Sequence, residues 1–269
     1  MRQSVLFWIV AVIVTLVVSV YQRLTGPTRP LQKSVMIDGA ITHCTLHRSH
    51  GGETDHVVTI ETGSELVKGW VEWKRFKMQE PWMRVPMLRQ EGFLVASLPH
   101  QPPAGKLQYR VILSAATEVV TVPEDEPVTI RFKGHVPTFI LISHVLTVFG
   151  AMLLSARTGL EALVSQPRLR ALTCLTLAFL LAGALVLGPT VQKFAFGAFW
   201  TGWPVGHDLT DNKAAVAFIA WLAAAVALSR QKNVKTWVLA AAITTLVVFL
   251  IPHSLLGSEL DYSTMNDGR

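Results

Sequence analysis

The run Val5–Val20 (VLFWIVAVIVTLVVSV) carries no charge and only two hydroxyls. A helix built from it is apolar on every face, and hydrocarbon is the solvent such a helix fits. Four further apolar segments follow at Val136–Leu154, Ala171–Leu187, Ala214–Leu228 and Val234–Ile251. Each is near the roughly 20 residues needed to cross a bilayer, the third being marginal. At 51% hydrophobic and 16% charged residues, the chain is too apolar for an ordinary soluble domain.

Arg2 precedes the first run, and Val18-Ser19-Val20 is a poor small-x-small cleavage site. A retained signal anchor over 1–22 is therefore expected, rather than a cleaved signal peptide. Thr25–Pro30 (TGPTRP) cannot continue a helix and reads as part of a linker over 23–34. From there to Lys133 the pattern changes to short alternating runs between turn residues. The expected strands are Ile41–Arg48, His56–Glu61, Leu66–Phe76, Met83–Leu88, Phe93–Leu98, Leu107–Ser114, Val119–Val122 and Val128–Phe132. In GWVEWKRF, Trp70, Glu72, Lys74 and Phe76 alternate with Val71, Trp73 and Arg75, as on a strand with one buried face. Seven or eight short strands over about a hundred residues fit a β-sandwich.

The stretch WMRVPMLRQEGFLVASLPHQPPAGKLQYRVIL strengthens this reading. It resembles the middle of fibronectin-III or immunoglobulin-like modules: strand, glycine turn, strand ending in Leu-Pro, Pro/Gly loop, Tyr-bearing strand. The resemblance covers residues 36–133 and implies a fold without an activity. The typical immunoglobulin disulfide has no counterpart, since Cys44 lies in this region and Cys174 in an apolar segment. Cys174 reads as a small buried hydrophobe. The expected fold is an α+β membrane protein. An extracytoplasmic antiparallel sandwich (35–133) lies between the anchor helix and a four-helix transmembrane bundle (134–252), with an extracytoplasmic tail (253–269).

Orientation rests on short loops. Arg157, Arg168 and Arg170 lie in one, and Arg230, Lys232 and Lys235 in another on the same side. Lys193 and Lys213 stand opposite, beside Asp208 and Asp211. Positive-inside logic places the basic loops in the cytoplasm, although Arg23, Arg29 and Lys33 argue the other way. The expectation is five spans in a cytoplasmic (inner) membrane, with the N-terminus inside and the sandwich and C-terminus outside. The net charge of +6 suits topology setting and anionic lipid. Basic patches interleaved with aromatics are absent, so nucleic acid is discounted as a partner.

Candidate chemistry concentrates in Gly188–Lys213 (GPTVQKFAFGAFWTGWPVGHDLTDNK) and Pro252–Tyr262 (PHSLLGSELDY) at the outer face. His135, His207, Asp208, Asp211, His253, Glu259 and Asp261 form a mixed imidazole–carboxylate set that suits a transition metal. His207 and Asp211 share a face if that turn is helical. The competing reading makes Thr210 or Asp208 the N-cap of the fourth helix, Asp211 a partner of its dipole, and Phe194, Phe196, Phe199, Trp200 and Trp203 an interfacial belt. Pro252 should end or kink the fifth helix and hold His253 beside the aromatic loop. Gly257 then returns Glu259 and Asp261 toward Lys193 or Lys213.

His144 lies about 10 Å into the second helix and is either a cofactor-binding group or a histidine bonded to a neighbouring helix. A bis-histidine haem lacks a second ligand at matching depth. In ITHCTLHRSHGGETDH, His43 and His47 stand too far apart for one ion, whereas His47, His50 and His56 flank the Gly51-Gly52 turn and either converge or form a solvated turn that is simply rich in histidine. Walker, GxSxG, HExxH, CxxC and CxxCH motifs are absent, as are broken-helix signals and inverted repeats.

Two functions follow. The first is a non-catalytic subunit that scaffolds a larger membrane complex, contacts other membrane subunits and docks an extracytoplasmic protein through the sandwich. The second is a membrane metalloprotein or redox enzyme using the outer-face histidines and carboxylates.

Overall fold

The computed structural model describes residues 2–164, 167–253 and 257–263. It divides into a helical unit, Met1–Pro27 with Val136–Ser258, and a β-unit, Thr28–His135 with Glu259–Arg269.

The helical unit comprises α1 (Arg2–Thr25), α2 (Thr138–Ala162), α3 (Leu169–Leu180), a π-helical turn (Leu181–Leu187), α4 (Gly188–Phe196), α5 (Leu209–Ser229) and α6 (Val234–Leu250). Among the described residues, four helical stretches are long and apolar enough to cross a membrane. They are α1, α2, the continuous Leu169–Phe196 and α5; α6 is apolar but has 17 residues. This composition fits a membrane protein, as do exposed apolar side chains such as Leu16, Val17, Leu146 and Ile219.

Small residues set the interior spacing. Of Ala217, Ala220, Ala224 and Ala227, which share one face of α5 by their spacing, Ala220 is half-buried and the other three are buried, and Trp221 between them is fully enclosed. Its indole N–H donates to Thr245 Oγ1 of α6 at 2.8 Å. On α2, a Cβ at Gly159 would stand 2.7 Å from the Ala242 Cβ, so only glycine admits α6 this closely.

Three expectations for this unit need correction. Arg157 is a buried residue of α2 and not a loop charge. It pairs with Glu161 at 2.8 Å, donates to Ser4 and packs over Phe7 and Trp8, which removes one charge from the loop count used for orientation. Cys174 is exposed on the helix surface instead of buried. The apolar segment expected over Ala171–Leu187 does not end at Gly188 and Pro189. Proline lacks a donor and its ring crowds the carbonyl four residues back. The π-helical turn just before it absorbs that defect, with Gly188 N–H donating to Gly183 O, and the helix continues as α4. Gly197, in the left-handed region, then caps α4 through its N–H to Lys193 O.

The β-unit holds β1 (Leu31–Ile37), β2 (Ala40–Leu46), β3 (Ser49–Gly51), β4 (His56–Glu61), β5 (Lys68–Arg75), β6 (Met83–Pro86), β7 (Leu88–Gln90), β8 (Phe93–Leu98), β9 (Lys106–Ala115), β10 (Glu118–Val122) and β11 (Val128–Lys133). β1 and β2 form a hairpin. A second sheet runs β3-β11-β9-β5-β6, with β10 also on β9, and a third runs β4-β8-β7. All pairings are antiparallel except β3 with β11. One apolar core joins the three sheets, drawing Ile37 and Leu46 from the hairpin, Ile60 and Leu98 from the third sheet, and Val71, Leu107 and Phe132 from the second.

Alternation places β4 and β8 at the expected residues. β1 falls partly inside the stretch expected to be linker, because Leu31–Ile37 is half exposed and rich in polar residues. The expected strand Met83–Leu88 is two strands. At Met87 the N–H donates to Gly69 O at 2.8 Å, the side chain enters the core, and the chain passes from one sheet to the other. The tail joins this unit through Leu260 N–H to Ala104 O at 3.0 Å and through buried Tyr262.

Candidate functional site

In the helical unit the polar residues of Gly188–Lys213 fold around the start of α5. Asp208 is its N-cap, accepting from Thr210 N–H at 2.8 Å. Its second oxygen accepts from Ser258 N–H and Oγ, both at 2.8 Å, and from Thr201 Oγ1 at 3.3 Å. Asp211 lies in the first turn, where the helix dipole favours a negative charge. One of its oxygens accepts from Thr201 N–H at 2.7 Å, Gly202 N–H at 2.9 Å and Gln192 Nε2 at 3.1 Å. Asn212 Oδ1 accepts from Trp203 N–H at 2.6 Å. Asp208, Asp211 and Gln192 are all buried.

Lys213 is buried beside them, and its ammonium donates to Ile251 O at 2.6 Å. Ile251 is extended, as the residue before a proline should be, and α6 ends there. The last carbonyls of α6 therefore need outside donors. Lys213 supplies one, and Gln22 of α1 donates to Phe249 O.

His253 is exposed two residues beyond Ile251, whose carbonyl Lys213 holds, so it stands at the Lys213 end of the aromatic loop and within electrostatic range of His144 and Asp208. His144 donates from Nδ1 to Gly183 O at 2.9 Å, so one carbonyl of the π-helical turn serves both His144 and Gly188. This is the neighbouring-helix bond weighed above. His207 is exposed and precedes α5, so it does not stack over Asp211 on a helical face. Phe194, Phe199 and Trp203 are exposed, as an interfacial belt requires.

The other expected ligands belong to the β-unit. His135 is exposed there. Glu259 pairs with Lys77 and, at 3.1 Å, with Lys106 rather than with Lys193 or Lys213. Burial alone would raise the Glu259 carboxyl, but bonds from Lys77 and Lys106 hold it below the usual range. Asp261 Oδ1 accepts from Ser263 N–H at 2.9 Å and Oγ at 2.6 Å. The seven expected metal ligands are thus divided between two units. Among the described residues no group of three or more His, Cys, Asp or Glu side chains is placed to hold a metal ion. Gln192, Thr201 and Ser258 complete the polar cluster. Single amides and hydroxyls so far apart in sequence carry no local signal of that role.

Two further clusters occur in the β-unit. His47, His50 and His56 do converge: the His56 ring lies 5.4 Å from His47 and 5.1 Å from His50, and Nδ1 of His56 meets Nδ1 of His50 at 3.3 Å. His56 is buried, and burial followed by the charges of His50 and His47 lowers it to about 4.

The second cluster is half-buried, with Glu72 buried at its centre and Arg84 exposed at its edge. Glu72 on β5 stands opposite Arg84 on β6 and Arg110 on β9. Each arginine grips one Glu72 oxygen through Nε and Nη2, at 2.9 and 2.7 Å in both cases. Burial alone would raise the Glu72 carboxyl; the bonds from Arg110 and Arg84 outweigh it and hold it low. The guanidiniums also lie over indoles, Arg110 at 4.8 Å from Trp82 and Arg84 at 5.9 Å from Trp70, while Lys74 covers Trp82 at 5.1 Å. The alternation of Trp70, Glu72 and Lys74 foretold one face of this array. The partners Trp82, Arg84 and Arg110 depend on strand register, which the sequence pattern leaves open.

Compared with known proteins, the chain matches no family model, no curated protein and no solved structure.

Proposed function

We propose that the chain is a polytopic subunit of a larger membrane complex, whose β-unit docks an extracytoplasmic protein. The observation that carries this reading is the cation–aromatic array on β5, β6 and β9. Its Trp70, Trp82, Arg84 and Arg110 are of the residue types that dominate protein–protein hot spots. The arginines are held by Glu72 and stacked on rings, so a partner would order few side chains on binding. On this reading the β-unit is an immunoglobulin-like sandwich. The pairing orders β4-β8-β7 and β11-β9-β5-β6 support it, being those of the two sheets of that fold. The helices are five spans of an inner membrane, with the N-terminus inside.

The test is purification from native membranes in mild detergent. Wild type should elute within a larger assembly, and Trp82→Ala combined with Arg84→Glu should release the extracytoplasmic partner from it. A monodisperse, partner-free wild type overturns the proposal. The metalloprotein reading draws support from His253 near Asp208 and His144. It is weakened because the Asp208 and Asp211 oxygens already accept protein donors. Near-stoichiometric metal in protein never exposed to chelator would reverse that order.

A further inference from the structure

In the helical unit, residues at the starts of α3 and α6 line an open, solvent-exposed cavity of about 820 Å³. Arg168, Arg170 and Lys235 line it, together with Pro167, Asn233 and Leu228. Carboxylates are absent from its described lining. Two helices of ample length begin there, α3 at Leu169 and α6 at Val234. Neither has a side-chain N-cap bond, and neither has an acidic residue in its first turn. Both helix starts are therefore positive dipole ends, and three cationic side chains surround them. Glu161, in the last turn of α2, is engaged by Arg157 and by the Arg168 backbone N–H at 3.1 Å. Lys235 Nζ donates to Val164 O at 2.7 Å, which keeps its stem over the cavity rim.

We propose that this cavity binds a phosphate-bearing anion, supplied by the headgroup of an anionic phospholipid. The lipid source rests on the membrane-spanning reading of the helices. A ring of cations above apolar helix walls is the environment in which a headgroup sits between spans, and the volume is in the range of small-molecule sites.

Insertion is scored first, as carbonate-resistant association of the full-length protein with phosphatidylcholine vesicles. Failure there overturns the membrane-spanning reading and this proposal with it. The protein is then placed in nanodiscs of phosphatidylcholine with phosphatidylglycerol, and retained lipid is counted by native mass spectrometry. Wild type should retain phosphatidylglycerol selectively. The combined variant Arg168→Gln, Arg170→Gln, Lys235→Gln should weaken retention on the order of a hundredfold, at roughly fivefold for each juxtamembrane cation.

Arg230→Gln with Lys232→Gln removes charge from the α5–α6 connection without touching the lining, and should retain lipid as wild type does. Insertion without phosphatidylglycerol selectivity overturns the headgroup site alone, as does equal loss in both variants or no loss in the triple variant. Inorganic phosphate is titrated against protein in pure phosphatidylcholine discs. Saturable thermal stabilisation that disappears in the triple variant supports the same site with a soluble source.

Discussion

Replacing Asp211 by alanine removes the acceptor that closes the loop between α4 and α5. The carboxylate receives the backbone N–H groups of Thr201 and Gly202 and the Gln192 amide, all on one oxygen, and Asp211 is buried. A hydrogen bond to a charged partner contributes about 1.5–3 kcal/mol, so the two backbone bonds alone are worth roughly 3 kcal/mol or more. The loop can admit water once opened, which holds the loss near the lower bound. About 3 kcal/mol corresponds to a rise of roughly a hundredfold in the opening equilibrium. Hydrogen exchange in mild detergent reads this directly: the Thr201 and Gly202 amides should lose about two powers of ten in protection, while β-unit amides stay unchanged. Asp211→Asn keeps an acceptor of the same shape but neutral, and such bonds are about half as strong. Its loss should be roughly tenfold. Unchanged protection at Thr201 and Gly202 in the alanine variant would refute the assignment of Asp211 as the tie.

Tyr262→Phe should destabilise the β-unit by about 1–3 kcal/mol in thermal unfolding of the full chain, because the half-buried Lys106 N–H loses its acceptor and the buried Gln101 amide oxygen its donor. His56 ordinarily titrates near 6.5 and in the folded chain at about 4, so between these values the unfolded state binds the extra proton. Stability contributed by neutral His56 should be present above pH 6.5 and lost on acidification toward 4; His56→Phe should flatten that dependence, and an unchanged slope would contradict it. In a background lacking Cys44 and Cys174, cysteine at position 263 should react with a membrane-impermeant reagent in cells whose outer barrier is open. Cysteine at position 231 should react only after lysis, and the reverse pattern inverts the proposed orientation.

Periodicity located most elements, because a strand with one buried face or a helix in hydrocarbon writes its environment into each residue. His56–Glu61 and Phe93–Leu98 alternate cleanly, and both ends agree with the structure. Leu31–Ile37 was hidden because only its last residue is fully buried, so its polar residues resemble linker. Arg157 looked like a loop charge since hydropathy alone cannot show that Glu161, Phe7 and Trp8 accompany it into the helix. At the polar cluster the N-cap role of Asp208 was legible from local rules, as was the break at Pro252. The bonds from Gln192 and Ser258 were not, because they join segments whose meeting is decided by helix packing. The division of Glu259 and Asp261 from His207 and Asp211 depends on where the tail joins the β-unit, which no local pattern encodes.

The π-helical turn at Leu181–Leu187 amounts to one residue more than a regular helix would use over the same rise. Each residue turns an α-helix by about 100°, so everything after the turn is rotated by that angle relative to an uninterrupted Leu169–Phe196. Gln192 owes its aim at Thr201 and Asp211 to this rotation. A chain shortened by one residue within 181–187 would keep its hydrophobicity and its helix, yet swing Gln192 off α5 and leave the His144 ring without the carbonyl it now shares with Gly188. In that sense the bend works as a phase shift: a single inserted residue sets the register of the polar cluster more than ten residues away from His144's own helix.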